Sequence, residues 1–487
     1  MKKTVGLVLF ALLASSLAGC RRGGTTTSSF STTSSEQSSS ITTSGEQSSS
    51  EITSSEQSSS ESSSSSHATS SSHTTSSSHT TSSSHVTTSS KPTTSSSSKT
   101  STTSSSSSTS STPAPVDKWT ILVYVCGADL ESNYSLASAD IYEMCSVSGQ
   151  PNDVNIVLQT GGSTSWDSYY GISSSYNQRY HISNQELVCD NNKVYSNYKS
   201  MGEASTFKDF LEWGLTTYPA QNTGVVLWNH GGAMTGVCAD AKKSNDSLTP
   251  EELKSAISSA FSSTQQTSKL EFVGFDACLM QVQDIADFMS PYFKYMIGSE
   301  ESESGTGWEY NTWVDDLYSY KSTTTILKAI VDGFIDSNGG KTSSYGNQTL
   351  SYLNLAKADS YKTAWENMSK ELIKKCDSSF ASFMEGVKTF AESDYYAFGL
   401  FDAKDFLNKV KSSKYNPGDT YINNCLTAFS EYVEYSVAQK GAGNAYGLAG
   451  FFEYSSYCYI DYYYRKNSDT NFVNWWSIVN SYGNDSW

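Results

Sequence analysis

The chain has 487 residues, of which 49 are Asp or Glu and 32 are Lys or Arg, giving a formal net charge of −17 at pH 7 with 37% hydrophobic residues. That sign argues against nucleic acid as a partner, because phosphates need a basic surface, and it favours cationic partners. The length leaves ample sequence for a sizeable core, and the nine cysteines show no CxxC spacing, which removes support for a zinc site or a redox motif.

The N-terminus carries Lys2 and Lys3, then an apolar run over residues 5–13, then Leu17-Ala18-Gly19-Cys20. Residues 1–19 read as a signal peptide, too short to span as a mature helix, whose end matches a bacterial lipobox. Cleavage before Cys20 would leave a diacylglyceryl cysteine, placing the mature protein outside the cytoplasmic membrane and holding it there by lipid. Residues 20–115 are then almost wholly Ser and Thr. They hold too little apolar surface to offset chain entropy, so the segment is expected to be a disordered tether reaching roughly 50 Å as a flexible coil. Its four histidines, His67, His73, His79 and His85, recur every six residues, the mark of repeat expansion rather than of a metal site.

Residues 116–487 form the folding part, an α/β portion to about residue 320 followed by a C-terminal α+β continuation or subdomain over 321–487. Residues 1–112 carry six basic and five acidic groups, net +1, so the remaining residues carry −18 against the total of −17. Residues 119–126 read as the first buried strand, followed by a helix-like stretch to about residue 144 and a second strand over 154–158. Residues 165–200 alternate and suggest hairpins, and residues 205–217 have helical spacing. A strand over 225–228 precedes a polar loop over 241–247. Thr249-Pro250-Glu251-Glu252 then opens a helix with a capping box and proline at its first position. A strand over 272–276, a helix through residue 289 and a strand over 295–298 follow. Beyond these the pattern predicts helices over 323–336, 359–375, 378–392 and 420–437, and strands over 350–353 and 446–453. Strands alternating with helices imply a doubly wound, mostly parallel sheet with helices on both faces.

Two of these strands end on reactive side chains: Val225-Val226-Leu227-Trp228-Asn229-His230 and Phe272-Val273-Gly274-Phe275-Asp276-Ala277-Cys278. On open α/β sheets, sites collect at the carboxyl ends of the strands, so His230 and Cys278 are expected at one sheet edge. A thiol becomes a nucleophile when a neighbouring imidazole takes its proton. Outside the tether the chain has only His181 and His230, and His181 lies in an alternating stretch expected to be an exposed hairpin. No G-x-S-x-G elbow supports a serine hydrolase. A surface-displayed binding protein on an inactive fold is the alternative from another class. It would be expected to have lost His230 or Cys278, and both are present.

In chain order, Gly127-Ala128-Asp129-Leu130-Glu131, Asn229-His230-Gly231-Gly232, Asp276-Ala277-Cys278-Leu279-Met280 and Gly298-Ser299-Glu300-Glu301 with Gly307-Trp308 resemble the clostripain family of cysteine peptidases over about residues 118–453. The resemblance implies a caspase-like α/β sheet and hydrolysis of peptide or protein substrates after Arg or Lys. Cys278 matches the nucleophile and His230 the family histidine, with the amides of Gly231 and Cys278 forming an oxyanion hole. Asp276 matches an acid at the base of the pocket for the residue before the scissile bond. Some relatives place a second acid where this chain has Thr306, so Glu303 becomes the substitute candidate; Glu300, Glu301 and Glu303 otherwise read as a solvated acidic rim. Family members can process themselves in a loop after the histidine strand, where Lys242 and Lys243 stand. The chemistry requires no cofactor. Calcium dependence occurs in parts of the family, and with no EF-hand-like loop here a Ca2+ requirement is left open.

Overall fold

The computed structural model describes residues 116–392, 397–454 and 470–483; the signal peptide, Cys20, the tether and Cys458 lie outside them. The strands run β1 (Asp117–Cys126), β2 (Val154–Gly161), β3 (Gln178–Ser183), β4 (Glu186–Asn191), β5 (Ala220–Trp228), β6 (Val237–Asp240), β7 (Asp246–Leu248), β8 (Leu270–Asp276), β9 (Phe293–Gly298), β10 (Thr349–Asn354), β11 (Thr389–Phe390), β12 (Leu400–Asp402), β13 (Val433–Ala438) and β14 (Ala449–Phe451). Among the described residues nine of them form one sheet in the order β13-β10-β9-β8-β5-β1-β2-β3-β4. The pairings β2–β1, β1–β5, β5–β8 and β8–β9 are parallel. Both flanks are antiparallel, β2–β3–β4 on one side and β9–β10–β13 on the other.

The apolar runs explain this arrangement. Residues 119–126 and every residue of β8 are buried, as expected of parallel strands covered on both faces. One face packs under the helices Ala204–Thr217, Pro250–Thr264, Gln283–Met289 and Ala358–Leu372, the other under Leu136–Ser146, Tyr310–Tyr318 and Thr323–Ser337. The expected capping box is present: the Thr249 side chain accepts from the Glu252 amide while Glu252 reaches back to the Thr249 amide.

The C-terminal sequence contributes β10 and β13 to the central sheet and β11, β12 and β14 to a second sheet of three strands. Here several expectations needed correction. The helix expected over 378–392 is only Phe380–Met384, because Gly386 ends it and Thr389-Phe390 pair with β12. The helix expected over 420–437 is Asp419–Tyr432; Val433, Tyr435 and Val437 then alternate with Glu434 and Ser436 and pair with β10. The helices Tyr310–Tyr318, Ala403–Lys411 and Val473–Tyr482 were not anticipated. The polar loop expected over 241–247 is the tip of the β6–β7 hairpin, with a 3-10 turn at Ala241–Lys243.

Candidate active site

Val125, Trp228 and Asp276 lie side by side across β1, β5 and β8. His230 and Cys278 each follow this row by two residues, so the parallel register itself brings them to one edge. Asn229 fixes the path between: its side-chain amide donates to the Cys126 carbonyl at 2.5 Å and its oxygen accepts from the Ala239 amide at 2.9 Å. The buried His230 then enters a bridge between Gly231 and Val237 that uses the His230 carbonyl and the Gly232 N–H. The Gly231 N–H is not part of that ladder. A Cβ on Gly231 would lie 2.1 Å from the Cys278 carbonyl oxygen, so glycine is what lets the two strand ends approach.

Cys278 is half-buried in a turn pinned by two bonds, Leu279 N–H to the Glu301 carbonyl at 3.2 Å and Gln281 N–H to the Ser299 carbonyl at 3.0 Å. The Glu303 N–H donates to its sulfur at 3.2 Å. Burial, and then the Glu303 charge, push the thiol up to about 12. The resting thiol is therefore neutral, and nucleophilic chemistry needs a base to remove its proton.

Beneath the sulfur lies a small pocket whose lining includes Leu130, Trp228, His230, Asp276, Cys278 and Glu303. Asp276 is buried, accepting from the Tyr310 hydroxyl at 2.9 Å and the Trp308 N–H at 3.3 Å. Burial raises it to about 7 against the effect of those donors. Both Glu303 carboxyl oxygens are buried without a well-formed hydrogen bond, and burial together with Asp276 pushes that group well above the usual carboxylate range. Behind them Asp140 accepts from the Trp228 indole at 2.6 Å and is raised by burial and by Asp276. The pocket carries a buried acidic pair, with Trp228 and Leu130 in its lining. Gly307, at φ +63, closes it, and a Cβ there would sit 3.1 Å from the Asp276 oxygens.

The solvated-rim reading of the three glutamates therefore fails. Glu300 is buried and accepts from the Gly447 N–H at 2.7 Å; Glu301 accepts from the Ala391 N–H at 3.0 Å; Glu303 turns inward to Asp276. The partners of Glu300 and Glu301 lie 147 and 90 residues away in sequence, beyond the reach of local pattern. His181 stands elsewhere, on β3, bonded to Asp190 at 2.7 Å. The lysine pair divides: the Lys242 ammonium bonds the Ser174 carbonyl and lies 3.5 Å from the Tyr198 ring centroid, whereas Lys243 is exposed. One contact had no forecast, His230 Nε2 to Asp129 Oδ1 at 2.8 Å. Its only sequence signal was an acid just past the strand that neighbours the histidine strand. Among the described residues no group of three or more His, Cys, Asp or Glu is arranged to hold a metal ion.

Gly231→Ala should force the β5 and β8 ends apart and cost about 1–3 kcal/mol of stability, as overpacking does. The check is the urea unfolding midpoint, and an unchanged midpoint would mean that the backbone yields freely there.

Comparison with known proteins agrees with this architecture. The clostripain family model matches residues 123–482. No curated protein gives a significant match. Among solved structures, a secreted C11 cysteine protease from Bacteroides thetaiotaomicron bound to an irreversible peptide inhibitor superposes with a TM-score of 0.55 at 17% identity, covering 75% of this chain and 99% of that one. An inactive zymogen C11 protease from Parabacteroides distasonis gives 0.53 at 17% identity, covering 69% and 92%. With the family model spanning most of the chain and the nine-stranded fold shared with these structures, the chain belongs to the clostripain family of cysteine peptidases.

Proposed function

We propose that this cysteine peptidase is an endopeptidase that cleaves after Arg or Lys, with Cys278 as nucleophile and His230 as its base. The observation that carries the specificity is the buried Asp276–Glu303 pair in a pocket that opens at Cys278. A cation inserted there supplies the counter-charge that the cluster lacks, and a guanidinium adds bidentate hydrogen bonding. Such a side chain also offsets the Glu303 charge, the second cause after burial of the raised thiol, so bound substrate favours thiolate formation. His230 removes the thiol proton and the sulfur attacks the carbonyl. The amides of Gly231 and Cys278 stabilise the oxyanion, a contribution of about 3 kcal/mol per donor in comparable sites. His230 then protonates the leaving amine and activates the water that releases the acyl group. Every step uses groups of this chain, and no cofactor is invoked.

The same reading extends to placement and maturation. Lipid on Cys20 would anchor the enzyme outside the membrane on the Ser/Thr-rich tether; among the described residues no helix is long and apolar enough to cross a bilayer. Self-cleavage would fall after Lys243 before Lys242, because the exposed side chain can enter a pocket and the engaged one cannot without opening the β6–β7 hairpin.

On Arg- and Lys-reporter peptides, Cys278→Ala and His230→Ala should each lose at least about 10³-fold in kcat. Asp276→Asn and Glu303→Gln should weaken cleavage after Arg and Lys far more than after neutral residues. A cation prefers the ionised pocket, so kcat/KM for basic substrates should fall as pH drops through about 7, where Asp276 gains its proton. Full activity in Cys278→Ala, or unchanged selectivity in both pocket variants, would overturn the assignment.

Mass spectrometry of active protein and of Cys278→Ala tests maturation. A new N-terminus at Ser244 in the active form alone is expected, and an intact chain in both rejects self-cleavage.

For the anchor, Cys20→Ala should move the protein from the membrane to the soluble fraction. A variant that still fractionates with membranes excludes lipidation at Cys20.

A further inference from the structure

The reactive edge gathers a third strand end. β1 lies beside β5, and its chain continues through Gly127 into the helix Ala128–Tyr134, whose second residue is Asp129. This turn is fixed independently of the histidine. The Gly127 N–H donates to the Gly161 carbonyl at 2.8 Å, and the Ser163 hydroxyl to the Ala128 carbonyl at 2.7 Å. The buried Glu131 carboxylate takes the Ser138 amide and hydroxyl and the Asp167 amide. Asp129 is thus presented to the imidazole by a rigid scaffold, with its side chain about one-third exposed and that of His230 nearly buried.

From the 2.8 Å contact between Asp129 Oδ1 and His230 Nε2 we infer that Asp129 is the positioning carboxylate of the catalytic histidine, making a Cys278–His230–Asp129 relay of orientation. A carboxylate can only accept, so it selects the tautomer with the proton on Nε2 and leaves Nδ1 as the nitrogen that exchanges protons with the substrate and thiol. When Nδ1 takes the Cys278 proton, the imidazolium carries a proton on each nitrogen and its charge faces Asp129. When Nδ1 gives a proton to the leaving amine, the neutral Nε2–H form returns; Asp129 stays ionised throughout. Its own state agrees with that role. Burial alone would raise Asp129, but the hydrogen bond and charge of His230, with the amides of Asp129 and Leu130, hold it below the usual carboxylate value.

The simpler alternative is an acid in the first turn of a short helix, complementing the backbone dipole. That role concerns folding, not tautomer or turnover, so the two are separable. The inference rests on His230 and Cys278 as the reactive pair, and the test keeps the claims apart. In the full domain, Asp129→Asn and Asp129→Ala should lower kcat by about 10- to 10³-fold with KM within about twofold, while circular dichroism and the urea midpoint confirm folding. In a Cys278→Ala background, nitrogen-15 NMR should find neutral His230 protonated on Nε2, and Asp129→Asn should shift the population towards Nδ1–H, since the amide can donate to Nε2. A folded Asp129→Ala enzyme with kcat within threefold of wild type, or an Nδ1–H tautomer in the unsubstituted Asp129 protein, overturns the inference. If His230→Ala and Cys278→Ala abolish activity while Asp129→Ala does not, only the role of Asp129 falls.

Discussion

The lateral alignment of Val125, Trp228 and Asp276 across three parallel strands is the constraint on which the rest of the site depends. Parallel strands share a direction, so their carboxyl ends emerge together, and residues far apart in sequence meet without any loop having to reach. His230 and Cys278 are each two residues past that row, and Asp129 is four past it, on the helix that follows β1. Slipping β5 against β8 by one residue would turn side chains to the opposite face and break the site. What prevents slippage is burial on both faces, reinforced by Asn229, which ties the β5 end to the β1 end and to β6.

Electrostatics works against stability here. The carboxyl groups of Asp140, Asp276 and Glu303 are buried, and burying carboxylates that lack full hydrogen bonding is expensive. The fold reduces the cost by supplying the Tyr310 hydroxyl, the Trp308 amide and the Trp228 indole, and by letting protons remain on the cluster. The Glu303 oxygens are left without good partners. On the proposed reading, a basic side chain entering the pocket would supply the counter-charge that these oxygens lack. Burial first, and the Glu303 charge second, hold the Cys278 thiol neutral.

Legibility from sequence followed the range of the interactions. Apolar runs bounded by polar residues revealed the parallel strands, and the Thr249 box located a helix start, because those signals are local. Placing His230 and Cys278 at one edge needed only the rule that strand ends share a side. By contrast, the burial of Glu300 and Glu301 depends on Gly447 and Ala391, and no local pattern encodes such partners. The helix at Asp419–Tyr432 ran on too far in the reading because Val433, Tyr435 and Val437 fit either period until a partner strand decides. Asp129 was visible as a motif member but not as a partner of His230, since sequence says which strand ends are near one another, not which side chains touch.

The C-terminal sequence is more than an appendage to the catalytic strands. Gln281, three residues past Cys278, donates to Ser351 on β10, and its carbonyl accepts from Ala449 on β14. Glu300, on the segment whose Ser299 and Glu301 carbonyls pin the Cys278 turn, accepts from Gly447. The turn that presents the thiol therefore takes its shape from chain 70 to 170 residues downstream. A turn held this way resists rearrangement around the sulfur, which suits an oxyanion hole built from main-chain amides, because such a hole works only if its donors are fixed before charge develops. It follows that substitutions in β10 or β14 far from the pocket can change turnover through the position of Cys278, and that loss of activity after such a change identifies a support and not a catalytic group.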